Sequence, residues 1–431
     1  MTEGGIVISY TLWNVLAGST ILGVTGGVLG CFTLLRRQSL LGDALAHAAL
    51  PGVCVAFLLT GSKSPLPLLL GALAAGVAGS LLILSIVRWS RVKEDSAIGI
   101  ILSVFFGLGI VLLTRIQQLP GGNQSGLDKF LFGQAASLVA SDLAVMGTLS
   151  LAVLAAVVLL FKEWKLLAFD RTFGASLGYP MRGLEIGLTC LLVVVVVVGL
   201  QTVGVVLMVA TLVTPAAAAR QWTDRLSVMT VLSGAIGGIS GASGAIASGL
   251  VSHLPTGPTI VLVASAMLVV SLLFAPNRGL LWAALRERRF TARIRRENLL
   301  KDVYLFGERG GGRFEFVSRP ALMGERGLGG AEIERHSLPL LRAGLLERFG
   351  DALRLTPAGL VEAERLVRKH RLWEVYLTRR LELPPDHVHR DAEAMEHALS
   401  EAAVDDLDEM LGFPEVDPHG RRIPRREKAE T

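Results

Sequence analysis

Apolar residues fill nine blocks of the first two thirds of the chain, at about 12–35, 40–60, 65–87, 97–114, 138–161, 183–200, 203–219, 227–251 and 257–275. Each comes close to the about 20 mostly apolar residues that cover the hydrocarbon core of a bilayer, so each predicts a spanning helix. The stretch 186–219 is interrupted only by the step Gly199-Leu200-Gln201-Thr202. As one helix it would run ~50 Å at 1.5 Å per residue, too long for one ordinary span. Arg182 precedes it and Arg220 follows it. Both belong on the cytoplasmic side, so the chain must cross twice, as a tight hairpin.

Beyond Pro276 the apolar blocks stop and the pattern becomes that of a water-soluble domain. A basic run, Arg286, Arg288, Arg289, Arg293, Arg295 and Arg296, comes first and suits a juxtamembrane contact with anionic lipid or, as the alternative, a contact with nucleic acid. A short helical stretch at 331–344 follows. Then Leu345–Phe349 and Ala352–Leu355 flank Gly350-Asp351, the pattern of a hairpin with a two-residue turn. A long helix is predicted from about Pro357 to Leu381. Helices followed by a hairpin suggest a winged helix.

Charge sharpens this division. Residues 1–275 hold 14 Lys+Arg and 10 Asp+Glu, whereas the much shorter 276–431 holds 28 and 27. The net charge of +5 therefore says little until it is localised. With nine spans, eleven basic residues fall in inside loops and only Lys63, Arg115 and Lys129 outside. The positive-inside rule then gives an external amino terminus and a cytoplasmic tail. Cys31, Cys54 and Cys190 all lie in apolar runs, which leaves no readable disulfide framework or zinc ribbon. The amino terminus has Glu3 and no basic region, which argues against a cleaved signal peptide.

Ionisable residues inside spans are costly and are functional candidates by default. Asp43 and His47, in Leu40-Leu41-Gly42-Asp43-Ala44-Leu45-Ala46-His47, are spaced i,i+4 and share a helix face. A carboxylate with an imidazole suits Mn, Fe or Zn. The same pair could instead tie two helices together, or Asp43 could cap one. Asp142, near an outer boundary, reads as a helix cap, and His253 as an outer-loop histidine. No G-x-x-x-x-G-K-[ST] and no H-E-x-x-H occurs, so neither the phosphate-cradling loop nor the usual zinc-protease helix is available. The chain binds no nucleotide by that route, and ATP-driven transport would need a separate ATPase subunit.

Four dispersed blocks give the membrane part its likeness. They are Ser39 through Gly52, Leu131-Phe132-Gly133, Val203 through Ala219, and Leu254-Pro255-Thr256-Gly257-Pro258-Thr259-Ile260-Val261-Leu262. In this order they resemble the permease subunit of the manganese/zinc/iron class of ABC importers. The resemblance implies a type II importer-like bundle, a second permease copy or paralogue, cytoplasmic ATPase subunits and an extracytoplasmic metal-binding protein. It also implies that Asp43 and His47 line the metal path. The segment Phe169 through Tyr179, with Asp170, Gly174 and Gly178, resembles the family's coupling helix, which docks on the ATPase.

The tail carries a dense set of ligand-type residues. His370 and Glu374 are i,i+4 on one helix, while His389, Glu393, Glu396 and His397 fall on one face of the next. Two such faces could close a Mn, Fe or Zn site or be simply solvated. Leu355-Thr356-Pro357-Ala358-Gly359, Lys369 through Glu374, Val388 through Ser400 and Pro418-His419-Gly420 to Pro424 resemble the diphtheria-toxin-repressor family of metal-dependent dimeric repressors. The match implies an ancillary metal site at His370, Glu374 and His389, and a primary site with Glu393, Glu396 and His397. Glu393, where iron sensors tend to have cysteine, resembles the manganese-type pattern. Two departures stand out. Glu297 through Tyr304 resembles the family's first helix, yet Asn298 and Lys301 would occupy its ligand positions, which predicts an incomplete primary site. Pro339 should also interrupt the recognition helix.

These readings predict an all-α polytopic membrane protein followed by a cytoplasmic α+β winged-helix and helical sensor-like domain. The expected divisions are a permease at 1–276, a basic linker at 277–300, a winged-helix-like segment at 301–356 and a helical metal-binding and dimerisation-like domain at 357–431. The expected function is the permease subunit of a divalent-metal importer in a bacterial plasma membrane, with Mn or Fe favoured and Zn the alternative, and with a tail that senses metal. A membrane-tethered transcription regulator that binds DNA is the competing expectation. A tail that acts only as a brake on transport is a third.

Overall fold

The computed structural model describes residues 10–61, 65–118, 138–251, 254–326, 329–384, 388, 392–393 and 395–425. The block Leu131-Phe132-Gly133 and the residues His253 and His389 lie outside these. The chain divides into two compact units, Met1–Ala283 and Ala284–Thr431.

The first unit is helical throughout: α1 (Tyr10–Leu35), α2 (Leu41–Thr60), α3 (Pro65–Trp89), α4 (Glu94–Gln117), α5 (Ala140–Leu159), the short α6 (Phe161–Phe169) and α7 (Arg171–Ser176), α8 (Met181–Trp222), α9 (Leu226–Leu250) and α10 (Thr256–Phe274). Among the described residues, eight helices are long and apolar enough to cross a membrane. Their outer faces are apolar as well, with Leu59, Leu151, Val158, Leu159, Val231 and Leu262 exposed. Helices that are hydrophobic all round are at home in lipid. Asp142 caps α5 as predicted, its carboxylate accepting the Val139 N–H at 3.3 Å.

Close backbone approach holds the bundle together. A Cβ on Gly237 of α9 would lie 2.0 Å from the Gly23 carbonyl oxygen of α1, and one on Gly23 would lie 2.2 Å from the Gly237 oxygen. A Cβ on Gly241 would meet the Ser19 oxygen at 2.3 Å. Lipid-embedded helices gain little from apolar burial alone, so contacts between small residues carry much of the association.

The predicted hairpin is present in α8, but its corner is Gly204 rather than the step at 199–202. Gly204 has φ 80° and ψ 172°, a conformation that side-chain-bearing residues avoid. Glu185, near the start of α8, pairs with Arg36 just past the end of α1. Val198 packs with Val15 and Leu22 toward the other end of α1. After the corner, Thr211 and Leu212 pass Gly26 and Gly30, so the second limb runs back toward Arg36. Eight helices and this second limb together account for the nine predicted spans.

The second unit is entered along α11 (Leu280–Arg309), so the expected linker and the start of the winged segment form one uninterrupted helix. After it come β1 (Val317–Ser318), α12 (Arg319–Arg326), α13 (Gly330–Arg342), β2 (Leu346–Phe349), β3 (Ala352–Leu355), α14 (Pro357–Arg380) and α15 (Glu401–Met410). The strands form an antiparallel sheet in the order β1-β3-β2. Phe349 faces Ala352 across the predicted turn, and Gly350 takes the φ of 60° that a primed hairpin turn requires. Leu299, Val303, Leu322, Ile333, Leu353 and Leu366 share one core. Thr356 Oγ1 accepts the Gly359 N–H at 3.0 Å and Pro357 begins the helix, so α14 is capped and pre-set.

The expectation at Pro339 is corrected. α13 continues through Pro339 to Arg342, and the Pro339 carbonyl still accepts the Ala343 N–H at 3.0 Å. Proline forfeits a single hydrogen bond there, four residues from the next loop, and the burial of Ile333, His336 and Leu340 carries the helix across.

Candidate functional site

In the membrane unit, Asp43 sits in the first turn of α2, where the partial positive charge of the helix end favours a carboxylate. No side-chain cap bond closes that end, so the capping explanation of Asp43 finds no support. His47 Nε2 lies 3.4 Å from Asp43 Oδ1, longer than a well-formed N–H···O bond. The imidazole stands edge-on to Phe106, with ring centroids 4.8 Å apart. Its other nitrogen, Nδ1, is buried with no hydrogen-bond partner. A buried polar atom left unsatisfied calls for an explanation. A carboxylate beside an imidazole that has one nitrogen without a hydrogen bond is a pair suited to a passing divalent cation.

The candidate coupling segment is built from α6, α7 and the turn into α8. Asp170 caps α7 by accepting the Phe173 N–H at 2.8 Å. A Cβ on Gly174 would come within 2.1 Å of the Met181 side chain, and Gly178 turns the chain with φ 85°. These residues shape the segment, whereas Phe169, Phe173 and Leu177 are exposed on it. Glu185 fastens it from below, binding Arg171 at 2.8 Å as well as Arg36. Sequence reasoning placed Phe173 and Leu177 in the segment but singled out Phe169, Asp170, Gly174 and Gly178, and it missed Glu185. A single acid close to the start of α8 was the available signal for Glu185.

In the tail the two predicted ligand sets run together. His370 Nε2 is 3.2 Å from Glu374, and His370 Nδ1 is 2.5 Å from Glu396. The Lys301 ammonium of α11 reaches into the same place, 2.7 and 2.9 Å from the two Glu396 oxygens and 3.2 Å from His370 Nδ1. The side chain of Lys301 is 4% exposed and that of Glu396 0%. Glu393 is half-buried on the same short turn. His397 lies beside Glu396, its Nε2 3.3 Å from Glu396 Oε1, with Nδ1 2.6 Å from Glu297 and Nε2 3.1 Å from Asn298 Oδ1. A further buried pairing, missed from the sequence, joins Arg371 to Glu308 at 2.6 Å and to Asp417 at 3.4 Å.

Electrostatics follow from this packing. Burial alone would lower the His370 pKa, but the carboxylates of Glu374 and Glu396 reverse that and raise it. Burial likewise pushes Glu396 upward, yet His370 and Lys301 hold its carboxyl below the ordinary range. A metal ligand must give up its proton and turn a lone pair to the ion. Among the described residues, no three His, Cys, Asp or Glu side chains are so arranged, and the cation beside Glu396 is the lysine itself. The residues as placed do not fit a bound divalent metal at this point.

Comparison with known proteins agrees with this division. Residues 9–275 match the family model of the ABC 3 transport family. Residues 356–425 match that of the iron dependent repressor, metal binding and dimerisation domain. The manganese transport system membrane protein MntC of Bacillus subtilis is 46% identical over 374 residues, covering 86% of this chain and 85% of its own. That coverage reaches well into the second unit. The zinc transport system membrane protein TroC of Treponema pallidum is 47% identical over 280 residues, covering 65% of this chain and 94% of its own. Among solved structures, PsaBC from Streptococcus pneumoniae in complex with Fab is 32% identical, with a TM-score of 0.56 over 63% of this chain and 94% of that one. The chain belongs to the ABC 3 transport family, as a multi-pass metal permease extended by a repressor-like carboxyl-terminal domain.

Proposed function

We propose that the permease carries Mn2+ or Fe2+, with Zn2+ as the alternative cargo, past Asp43 and His47. The observation that carries this reading is the His47 imidazole on the Asp43 face of α2, its Nε2 3.4 Å from the carboxylate and its other nitrogen, Nδ1, buried without a hydrogen-bond partner. Relatives named for manganese and for zinc transport support a borderline divalent cargo. Asp43 and His47 lie about 3 and 9 Å along α2 from its start, at 1.5 Å per residue. They therefore sit nearer the end that holds Arg36 than the opposite one. With the positive-inside reading, that end is cytoplasmic and the amino terminus external.

Energy comes from a separate ATPase subunit that docks on the exposed Phe169, Phe173 and Leu177. An extracytoplasmic binding protein delivers the ion, and a second permease copy or paralogue completes the pathway. The tail serves as a cytoplasmic regulatory domain acting on transport rather than as a reader of DNA. Support for that choice lies in α13, which carries Glu332 and Glu334. These pair with Arg295, Arg319 and Arg348, so acidic side chains on this helix already engage three nearby arginines. Uptake of radioactive Mn2+ by cells expressing the whole transporter tests both parts. Asp43→Ala should abolish uptake with membrane insertion intact. Truncation after residue 276 should leave uptake running but insensitive to internal metal. Normal uptake by Asp43→Ala, or a metal-dependent footprint of the full chain on a specific duplex, would overturn the corresponding part.

A further inference from the structure

We infer that Lys301 is a built-in cation: its ammonium holds the Glu396–His370 cluster closed, so this part of the tail is assembled without a divalent metal. Three observations carry the inference. Both Glu396 oxygens accept from the Lys301 ammonium, at 2.7 and 2.9 Å, leaving the carboxylate fully engaged. His370 is engaged on both ring nitrogens, by Glu396 at 2.5 Å and Glu374 at 3.2 Å. The cluster is sealed, with side-chain exposures of 4% for Lys301, 6% for His370, 2% for Glu374 and 0% for Glu396.

Occupancy decides between lysine and metal. The lysine ammonium pairs with both oxygens of a carboxylate that is wholly out of water, and breaking such a buried pair by removing one partner is costly. Removing the ammonium leaves the Glu396 carboxylate without its lysine, a place that a metal ion could take. To enter the intact cluster, a divalent ion would have to displace the lysine from both oxygens. Lysine has a compact charge at the end of a flexible four-carbon stem, which lets α11 deliver a cation to a carboxylate held against His370 of α14. The ion pair thereby ties α11, α14 and the turn at 395–397 into one piece.

The inference concerns the Glu396–His370 cluster alone: metal sensing elsewhere in the tail, and metal uptake past Asp43 and His47, can hold or fail independently of it. Hydrogen–deuterium exchange on the purified full-length protein tests it. Peptides covering 299–304, 366–376 and 395–399 are followed in EDTA and in excess Mn2+. The wild-type chain should exchange equally in both. Lys301→Met should exchange at least tenfold faster in EDTA and regain protection in Mn2+. Should Lys301→Met stay unprotected in both conditions, the double variant Lys301→Met/Glu396→Gln, which removes both charges together, should restore protection without metal. Mn2+-dependent protection of the wild-type chain would overturn the inference. So would unchanged protection of Lys301→Met in EDTA, or failure of the double variant to recover.

Discussion

Glu185 binds Arg171 at 2.8 Å, and this contact joins α8 to the segment on which the ATPase is expected to dock. The same carboxylate holds Arg36 beyond the end of α1. Removing it strands a nearly buried arginine, a change that typically costs about 3–5 kcal/mol. Glu185→Gln should therefore reduce uptake by more than about tenfold, since 1.4 kcal/mol already equals a factor of ten. Uptake normalised to membrane-inserted protein reads this out. A variant that transports normally would show that Glu185 is dispensable for coupling.

At the path, replacing His47 tests the open nitrogen directly. His47→Ala should cut Mn2+ uptake at least as deeply as loss of a metal ligand's outer-shell partner, which typically costs about 10–100-fold. His47→Gln keeps polarity but presents no imidazole lone pair, and it should rescue little. Equal uptake by His47→Gln and the wild type would assign the histidine to packing against Phe106.

Gly237→Val probes the close approach of α1 and α9. Its side chain would begin 2.0 Å from the Gly23 carbonyl oxygen, and overpacking of this kind costs about 1–3 kcal/mol. The expected result is a lower thermal midpoint in detergent. Gly147→Val, where a Cβ meets no atom within 4 Å, should leave the midpoint near that of the wild type. A midpoint unchanged for both would remove the α1–α9 contact from the list of stabilising features.

His336 gives α13 a pH dependence. Burial, aided by the charges of Arg295 and other nearby arginines, depresses its pKa below the usual value, against a weaker opposing pull from Glu332. The folded tail thus resists a proton that the unfolded chain accepts near pH 6.5. Stability from the neutral ring is fully present above that value and declines as pH falls below it. Exchange of α13 amides, corrected for intrinsic rates, should accelerate between pH 7 and 5. His336→Phe should flatten that trend, and an identical slope in this variant would place the effect elsewhere.

Much of the fold was legible because lipid imposes length and polarity rules that a sequence cannot hide. The spans, the reversal inside 183–219, the hairpin at Gly350-Asp351 and the long helix from Pro357 all follow from local pattern. What escaped were properties set by partners distant in sequence. Gly204 as the corner depends on a backbone torsion, and the Gln201-Thr202 step beside it offered the more visible polarity. The strand Val317–Ser318 is too short to announce itself and exists through its pairing with Leu353 and Ala352. Pro339 was read by its intrinsic cost alone, which the packing of α13 outweighs. At the candidate site, residue type and spacing found Asp43, His47, His370 and Glu396. The fusion of the two tail sets through His370 lies outside what spacing along one helix can reveal.

Gly204 also bears on how the chain threads the membrane. Straightened, α8 would be a rod of about 60 Å at 1.5 Å per residue, twice the thickness of a hydrocarbon core of about 30 Å. Folded back at Gly204, the same residues return the chain to the side it left. The helices that follow therefore begin on the side where α8 started, a parity set by one bend eighty residues upstream of the second unit.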